Sequence, residues 1–204
     1  MTERLPRQRC MHCKRPLTHC LCSLIPSLSS RTRVLVVQHP DEAGHALNTA
    51  RLVALGLQNV QLLIAETIEN IEQYIEQEGY RACILFPAEE AQVLRAYQDD
   101  QQPLLLIVPD GTWRKARKIL HCNPRLAALP RVTLPAGFSS CYRLRKAPNT
   151  QALATVEAVS HALNILEPET DFSPLLRPFD ALIEGQIQAM GKAVYTRNHV
   201  EVNH

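Results

Sequence analysis

Residues 103–120 decide the fold, and they read PLLLIVPDGTWRKARKIL. The apolar run at 104–108 has the length and composition of a strand that is buried on both faces. Pro109 is expected to stop that strand, and Gly111 frees the backbone for a turn. Asp110 lies between the two. The stretch therefore predicts a carboxylate at the C-terminal edge of a parallel strand, which is where ligands bind in open α/β sheets.

A basic helix is predicted directly after this turn. Thr112 is a suitable N-cap residue, and residues 113–120 continue as a helix. The helix begins with Trp113, the one tryptophan of the chain. Its cations are Arg114, Lys115, Arg117 and Lys118. A carboxylate, an indole ring and several cations thus fall close together at one edge of the predicted sheet.

Strands and helices alternate along the rest of the chain. Further strands are predicted at residues 33–38, 60–64, 82–86 and 131–134. Further helices are predicted at residues 50–55, 68–78, 89–97, 151–166 and 174–190. Such alternation is typical of an α/β domain with a mostly parallel sheet.

Several loops are expected at the C-terminal edge of this sheet. They are residues 38–49, 87–90 and 110–113. Residues 134–150 form a long connection without apolar periodicity. Long ordered connections in compact domains are usually functional, so this segment is expected to contribute to a site.

Length and composition indicate a soluble globular protein. The 204 residues suit one core domain with a small appendage, and the chain is 46% hydrophobic and 21% charged. No apolar run approaches the roughly 20 residues of a membrane span. The first residues have no apolar secretory segment, so a cytoplasmic protein without membrane contact is expected. In a reducing compartment, cysteines are read as metal ligands or buried thiols before disulfides.

Positive charge is concentrated in two blocks. Residues 1–33 contain seven Lys or Arg and one acid, and residues 111–150 contain nine Lys or Arg and no acid. The formal net charge is only +2, so the surface is expected to be sided. This distribution favours a polyanionic partner such as a nucleic acid, with a solvated basic face as the alternative.

The N-terminal block contains a cysteine cluster, CMHCKRPLTHCLC at residues 10–22. Four thiolates at this spacing predict a tetrahedral structural zinc site, and unligated cysteines or an iron–sulfur cluster are the alternatives. The expected ligands are Cys10, Cys13, Cys20 and Cys22. Residues 1–30 are therefore interpreted as a zinc module with its linker, and residues 31–204 as the main domain.

Asp110 is the best acid–base residue in the sequence. It is the only carboxylate between Asp100 and Glu157. Its alternative role is to cap the following helix or to pair with a cation such as Arg145. The chain lacks the G-x-G-x-x-G, P-loop and G-x-S-x-G motifs, which disfavours dinucleotide binding, P-loop chemistry and that type of hydrolase.

Several short motifs together resemble the DTW-domain family. In chain order they are HPDE at 39–42, NT at 48–49, DGTW at 110–113, YRLRK at 142–146 and TVEA at 155–158. The cysteine cluster is also similar to that of bacterial members. The resemblance covers nearly the whole chain. It departs from the expected pattern at Ala154, where a Ser is expected before Thr155.

The resemblance implies a fold and an activity. The implied fold is similar to the SPOUT class, an α/β domain with helices on both faces and a C-terminal trefoil knot. The implied activity is S-adenosylmethionine-dependent transfer of an aminocarboxypropyl group to a tRNA uridine, at position 47 or in the D-loop. A SPOUT-like RNA methyltransferase and a non-catalytic zinc RNA-binding protein are the alternatives. The chain is expected as a monomer or homodimer.

The resemblance also assigns roles to residues. Asp110 is expected as the base at uridine N3, and Arg145 or Lys146 as the cation for the cofactor carboxylate. Trp113 is expected to stack on a base or to pack the helix start. Expected cofactor contacts are Phe86, Pro87, Gly111, Trp113, Leu134, Tyr142, Arg145, Lys146 and Thr155. Expected RNA contacts are His39, Arg114, Lys115, Arg117, Lys118 and Arg143.

Overall fold

A computed structural model describes residues 8–98, 101–138, 140 and 153–195, without the side chains of 192 and 193. Within them six strands form one sheet: β1 (Arg33–Gln38), β2 (Val60–Ile64), β3 (Arg81–Leu85), β4 (Gln92–Val93), β5 (Leu104–Asp110) and β6 (Arg131–Thr133). Their order is β2-β1-β5-β3-β6-β4, and each neighbouring pair is parallel. The predicted α/β fold with a mostly parallel sheet is confirmed.

Helices cover both faces of this sheet. In the described residues they are α1 (Pro40–Ala43), α2 (Ala50–Gly56), α3 (Glu72–Ile75), α4 (Trp113–Cys122), α5 (Pro124–Ala127), α6 (Thr155–Leu166), α7 (Arg177–Met190) and α8 (Lys192–Tyr195). Single 3₁₀ turns occur at Leu17–His19, Cys22–Leu24 and Ser173–Leu176. No helix in this described part of the chain combines the length and apolar character that a bilayer crossing requires.

The core consists of two apolar layers, one on each face of the sheet. Val34 and Val36 of β1 pack with α2, α6 and α7, whereas Leu35 and Val37 pack with α3, α4 and α5. Successive side chains of a strand point to opposite faces. The central strands β1 and β5 are therefore continuous apolar runs, because both of their faces are buried.

Two predicted helices are wrong. Residues 89–97 form no helix, since β4 lies there and the N–H of Leu94 donates to the carbonyl of Thr133 at 2.9 Å. The helix predicted at 68–78 is reduced to the single turn of α3. Asn70 has φ +49°, a left-handed conformation that cannot continue a right-handed helix. Pairing with β6 therefore outweighs the helical spacing at residues 89–97. The left-handed turn at Asn70 shortens the helix at residues 68–78.

The expected end of the central strand at Pro109 is also wrong, because β5 continues to Asp110. Pairing of β5 with β3 ends at Ile107, whereas pairing with β1 continues through Asp110. The missing N–H of Pro109 faces the β3 side, where the ladder has already ended. The proline therefore removes no ladder hydrogen bond at this position.

The C-terminal helices begin later than predicted. The helix expected from residue 151 begins at Thr155, and residues 151–152 lie outside the described part. The helix expected from Pro174 is a 3₁₀ turn followed by α7.

The cysteine segment contacts the α/β domain. Leu21 is buried in the same apolar layer as α2 and α7. The guanidinium of Arg15 donates to the backbone carbonyl of Ala46 at 3.0 Å, and the N–H of Leu28 donates to the carbonyl of Gly56 at 2.9 Å. These contacts attach the segment to the loop after β1 and to the end of α2.

Candidate active site

A cavity of about 870 Å³ opens at the carboxyl ends of the strands. Its walls are the ends of β1 and β5, the loop after β1, the loop after β6 and the first turns of α4 and α6. In the strand order, β1 and β5 are neighbours although six other strands and helices separate them in sequence. The volume lies within the range of about 300–1,000 Å³ that small-molecule sites occupy.

Asp110 lies on the wall of this cavity with 8% of its surface exposed. Its Oδ2 accepts a hydrogen bond from Nε2 of Gln38 at 2.7 Å, and its Oδ1 accepts from the hydroxyl of Thr155. The sheet register pairs Gln38 directly with Asp110, which brings their side chains together. Hydrogen bonds of this kind favour the ionised carboxylate, the form that a general base requires.

Gln38 is linked in turn to Asn48. The Gln38 side chain is fully buried, and its Nε2 also donates to Oδ1 of Asn48 at 3.0 Å. The Nδ2 of Asn48 donates to Oε1 of Gln38 at 3.2 Å and to the carbonyl of Ala43 at 3.1 Å. A chain of polar groups thus runs from the loop after β1 to the carboxylate of Asp110.

The start of α6 positions Thr155. Glu157 is 2% exposed, and its Oε2 accepts from the N–H of Ala154 at 2.7 Å and from the hydroxyl of Ser140 at 2.7 Å. Ala154 is the N-cap residue and has no side-chain oxygen to cap the helix. Only the glutamate half of a capping box is therefore present at this helix start.

The turn between β5 and α4 is tightly packed. Gly111 has φ +152°, and a Cβ added to it would lie 3.0 Å from Cβ of Lys115. Thr112 follows as the N-cap of α4, and its hydroxyl accepts from the N–H of Lys115 at 3.4 Å. The N-cap predicted at Thr112 is confirmed.

Aromatic rings form one side of the cavity. Phe86 and Trp113 meet edge to face, with centroids 5.5 Å apart. Trp113 is 42% exposed, so much of its indole is accessible to a ligand. The guanidinium of Arg131 lies over the ring of Phe86 at 5.9 Å. The accessible indole leaves stacking open as its role.

The structure brings together all the described members of the predicted cofactor set. They are Phe86, Pro87, Gly111, Trp113, Leu134 and Thr155, and each lines the cavity. Tyr142, Arg145 and Lys146 lie outside the described residues. The roles of all these residues stay predictions.

His39, a predicted RNA contact, is buried at the start of α1. Its Nδ1 accepts from the N–H of Asp41 at 3.2 Å, which leaves the ring proton on Nε2, 2.7 Å from the carboxylate of Glu66. Glu66 also pairs with Lys118 at 2.8 Å. Hydrogen bonds from Lys118 and, to a smaller extent, from His39 lower the pKa of Glu66. Glu66 in turn raises the pKa of Lys118.

The other predicted RNA contacts differ in accessibility. Lys115 pairs with Glu42 at 2.9 Å and lines the cavity, and this partner raises its pKa. Arg114 and Arg117 are exposed on α4. Arg143 lies outside the described residues. The exposed pair therefore remains the most suitable for contacts with a polyanion.

Two parts of the cavity wall were not predicted from sequence. Gln38 and Asn48 were read only as a strand end and a motif residue, and their link to Asp110 appears only in the fold. Phe138 lines the cavity and packs its ring against His161, with centroids 4.4 Å apart. Burial lowers the pKa of His161, which favours a neutral imidazole.

The four N-terminal cysteines converge on one point. Their sulfur atoms all lie within 4.8 Å of one another. The sulfurs of Cys10 and Cys22 are 3.5 Å apart, and those of Cys13 and Cys20 are 3.7 Å apart. Thiolates at about 2.3 Å from a tetrahedral zinc are about 3.8 Å from each other. The sulfur set fits a zinc ion.

The pKa values of two of these thiols are shifted in opposite directions. Backbone N–H groups of Cys13 and His12 lower the pKa of Cys10 to about 6, and the hydrogen bond with Cys10 raises the pKa of Cys22 to about 12. Adjacent sulfurs cannot all ionise without a cation, because like charges disfavour each other. A bound metal ion would remove this conflict.

The family model described as the DTW domain matches residues 7–187. The chain therefore belongs to the DTW-domain family. It is 30% identical to a Macaca fascicularis protein called tRNA-uridine aminocarboxypropyltransferase 2, over 97% of this chain and 70% of the relative. It is 28% identical to the Drosophila melanogaster protein of the same name, over 89% of this chain and 76% of the relative.

A plant relative is similar over much of the chain as well. It is the Arabidopsis thaliana protein called tRNA-uridine aminocarboxypropyltransferase A, which is 28% identical over 80% of this chain and 74% of its own length. No solved structure matches this chain.

Proposed function

We propose that this chain transfers the 3-amino-3-carboxypropyl group of S-adenosylmethionine to N3 of a tRNA uridine. The observation that carries the proposal is Asp110, a buried carboxylate held by Gln38 and Thr155 on the wall of the cavity. The relatives' names support the reaction class, since those from animals and a plant are all called tRNA-uridine aminocarboxypropyltransferases.

Asp110 would act as the general base. The imide N–H of uridine N3 is a weak acid, so its attack requires a base within hydrogen-bond reach. A carboxylate offers about four acceptor positions, so the hydrogen bonds from Gln38 and Thr155 are compatible with a further donor. Asp110 would take the N3 proton as the bond to carbon forms.

The cavity fits the proposed donor. When bound, S-adenosylmethionine supplies a methylene carbon that its sulfonium makes electrophilic, and methylthioadenosine leaves. The apolar wall of Phe86, Pro87 and Leu134 suits an adenine ring, and Gly111 lets the backbone approach a ligand closely. We propose Arg145 or Lys146 as the partner of the donor carboxylate. Orientation must select the aminocarboxypropyl chain over the methyl group, since all three sulfonium carbons are activated.

The RNA would approach from the side of α4. Arg114 and Arg117 are exposed there, and we propose that they contact tRNA phosphates. Trp113 would stack on the target base or on adenine, which contributes about 1–3 kcal/mol. We propose the uridine at position 47 as the target, because an unpaired base in the variable loop can enter a cavity without melting a duplex.

Other features complete the proposal. The four cysteines would bind a structural zinc ion in a module spanning residues 1–30, with residues 31–204 as the catalytic domain. The catalytic domain would be SPOUT-like with a C-terminal trefoil knot. The protein would act in the cytoplasm as a monomer or homodimer.

The by-product tests the reaction. The purified chain is incubated with S-adenosylmethionine and unmodified tRNA, and the small molecules and digested nucleosides are analysed by mass spectrometry. Methylthioadenosine and an aminocarboxypropyl uridine are expected. S-adenosylhomocysteine would instead indicate a methyltransferase, and tRNA binding without either by-product would indicate a non-catalytic RNA-binding protein. An Asp110→Asn variant should bind tRNA normally and modify the uridine far more slowly than the parent chain.

A further inference from the structure

We propose that Gln38 and Asn48 form a positioning pair that holds Asp110 as an oriented carboxylate and couples it to the cavity loop, residues 39–49. Gln38 is fully buried, and its amide nitrogen is 2.7 Å from Oδ2 of Asp110. Burying a polar amide is costly unless its hydrogen bonds are made. The burial of Gln38 in a core strand is therefore explained by its hydrogen bond to Asp110.

The hydrogen bonds fix the direction of each group in the pair. An ionised carboxylate only accepts hydrogen bonds, so the Gln38 atom that faces Asp110 must be the nitrogen. Oε1 of Gln38 must then face a donor, and Nδ2 of Asn48 supplies it at 3.2 Å. Reversing either amide would set acceptor against acceptor. The network is therefore complementary to an ionised Asp110.

Asn48 extends the network into the cavity loop. Its Nδ2 donates to the carbonyls of Ala43 at 3.1 Å and Glu42 at 3.4 Å. Its Oδ1 accepts from the N–H of Arg51 at 3.0 Å, at the start of α2. The loop that contributes Glu42 and Asn48 to the cavity wall is thus tied to the same amide that orients Asp110.

The kinetic consequence rests on the proposed function. A base that rotates away from the uridine N3 loses hydrogen-bond reach of the proton that it must take. Loss of the Gln38 amide should therefore lower the rate of the chemical step. Affinity for S-adenosylmethionine should change little, since neither amide is assigned to the donor.

Gln38→Met tests the pair, because it keeps the length of the side chain and removes both amide groups. The single-turnover rate with saturating tRNA and donor should fall about 10- to 100-fold. The Kd of the donor should stay within about twofold of that of the parent chain. Asn48→Asp, which keeps the acceptor and loses the donor, should lower the rate in the same direction if Gln38→Met does not fold.

Asn59→Leu is the matched control. Asn59 is a partly buried amide before β2, at the opposite end of the sheet, and it donates to the carbonyl of Ser30 and the hydroxyl of Tyr80. Its loss should affect stability and leave the single-turnover rate unchanged. In an Asp110→Asn background, Gln38→Met should cause no further loss of rate, because the group that it orients is gone.

A second measurement does not depend on activity. The side-chain carboxyl carbon of Asp110 is titrated by NMR in the parent chain, in Gln38→Met and in the Asn59 control. Loss of the Gln38 hydrogen bond, which favours the charged carboxylate, should raise the titration midpoint of Asp110. An unmoved midpoint, or an equal rate loss in the Asp110→Asn background, would refute the positioning pair. A fully active Asp110→Asn chain would instead refute the proposed base, whatever the titration shows.

Discussion

Thr155 supplies the hydroxyl that donates to Oδ1 of Asp110 from the first turn of α6. Thr155→Val keeps the shape of the side chain and removes this donor. We expect the single-turnover rate to fall about 10-fold, because a hydrogen bond to a charged group contributes about 1.5–3 kcal/mol. Thr155→Ser keeps the hydroxyl and should retain most of the rate. Equal losses in the two variants would show that the methyl group matters as much as the hydroxyl, which would contradict a specific role for the hydrogen bond.

Gly111 is the residue that allows the close turn between β5 and α4. Gly111→Ala places a Cβ 3.0 Å from Cβ of Lys115 at φ +152°, which is unfavourable for any side chain. We expect a loss of about 1–3 kcal/mol in the free energy of unfolding, measured by denaturant titration. Gly44→Ala is the control, since Gly44 has φ −88° and open space around it. A neutral Gly111→Ala would show that the turn relaxes easily.

At this scale the sequence identified residues better than it identified their partners. Asp110 was predicted because it is a lone carboxylate at a strand end, and the cavity does form around it. Gln38 was missed because a polar residue at a strand end is ordinary in sequence, and its partner lies 72 positions away. His39 was predicted as an RNA contact, yet it is buried, and its Nε2 lies 2.7 Å from the carboxylate of Glu66 in the loop after β2.

The start of α6 lacks a side-chain cap. Ala154 has φ −71° and ψ 156°, the backbone geometry of an N-cap residue, and Glu157 already accepts from its N–H. Ala154→Ser would add the missing hydroxyl and complete the capping box. We expect a gain of about 0.5–1 kcal/mol in the free energy of unfolding. Ala154→Val, which adds bulk without a hydroxyl, should not stabilise the chain.

Glu66, in the loop after β2, pairs with Lys118 of α4 and lies beside Nε2 of His39. Both partners lower the pKa of Glu66, Lys118 more than His39. A lowered pKa in the folded state contributes stability above the unfolded value of 4.5, and this contribution disappears as the pH falls through the folded pKa. Glu66→Gln should therefore lower the urea midpoint at pH 7, and this effect should shrink as the pH falls below 4.5. The exposed Glu69→Gln should change neither midpoint.

Elements were predictable where burial decided them. The apolar runs of β1 and β5 coincide with the predicted strands because burial on both faces leaves few polar positions. β2 is an edge strand that is only partly buried, and its apolar residues alone were enough to predict it. The helix predicted at residues 89–97 was wrong because this segment pairs with β6 through backbone hydrogen bonds, such as that from Leu94, which the local sequence does not indicate. Short edge strands depend on such partners more than on their own side chains.

We propose that the cysteine cluster and the cavity belong to different parts of the chain, which contact each other through the residues that follow. Leu21 joins the core, and Arg15 reaches the carbonyl of Ala46 in the loop that also contains Asn48. The cluster itself has few apolar residues, so a metal ion would supply most of its local stability. Apart from Leu21, the apolar layers on the sheet are formed by other elements and should fold without the metal.

Removal of the metal should therefore separate RNA binding from donor binding. In a Cys10→Ser, Cys13→Ser chain we expect the loss of about one zinc equivalent, measured by elemental analysis. Affinity for tRNA should fall roughly tenfold or more as the basic N-terminal segment loses its fold, whereas calorimetry should show unchanged donor binding. Cys122→Ser, at the end of α4 and outside the cluster, should keep the metal. Equal losses in both affinities would contradict the division at residue 30 and make the cluster part of the catalytic core.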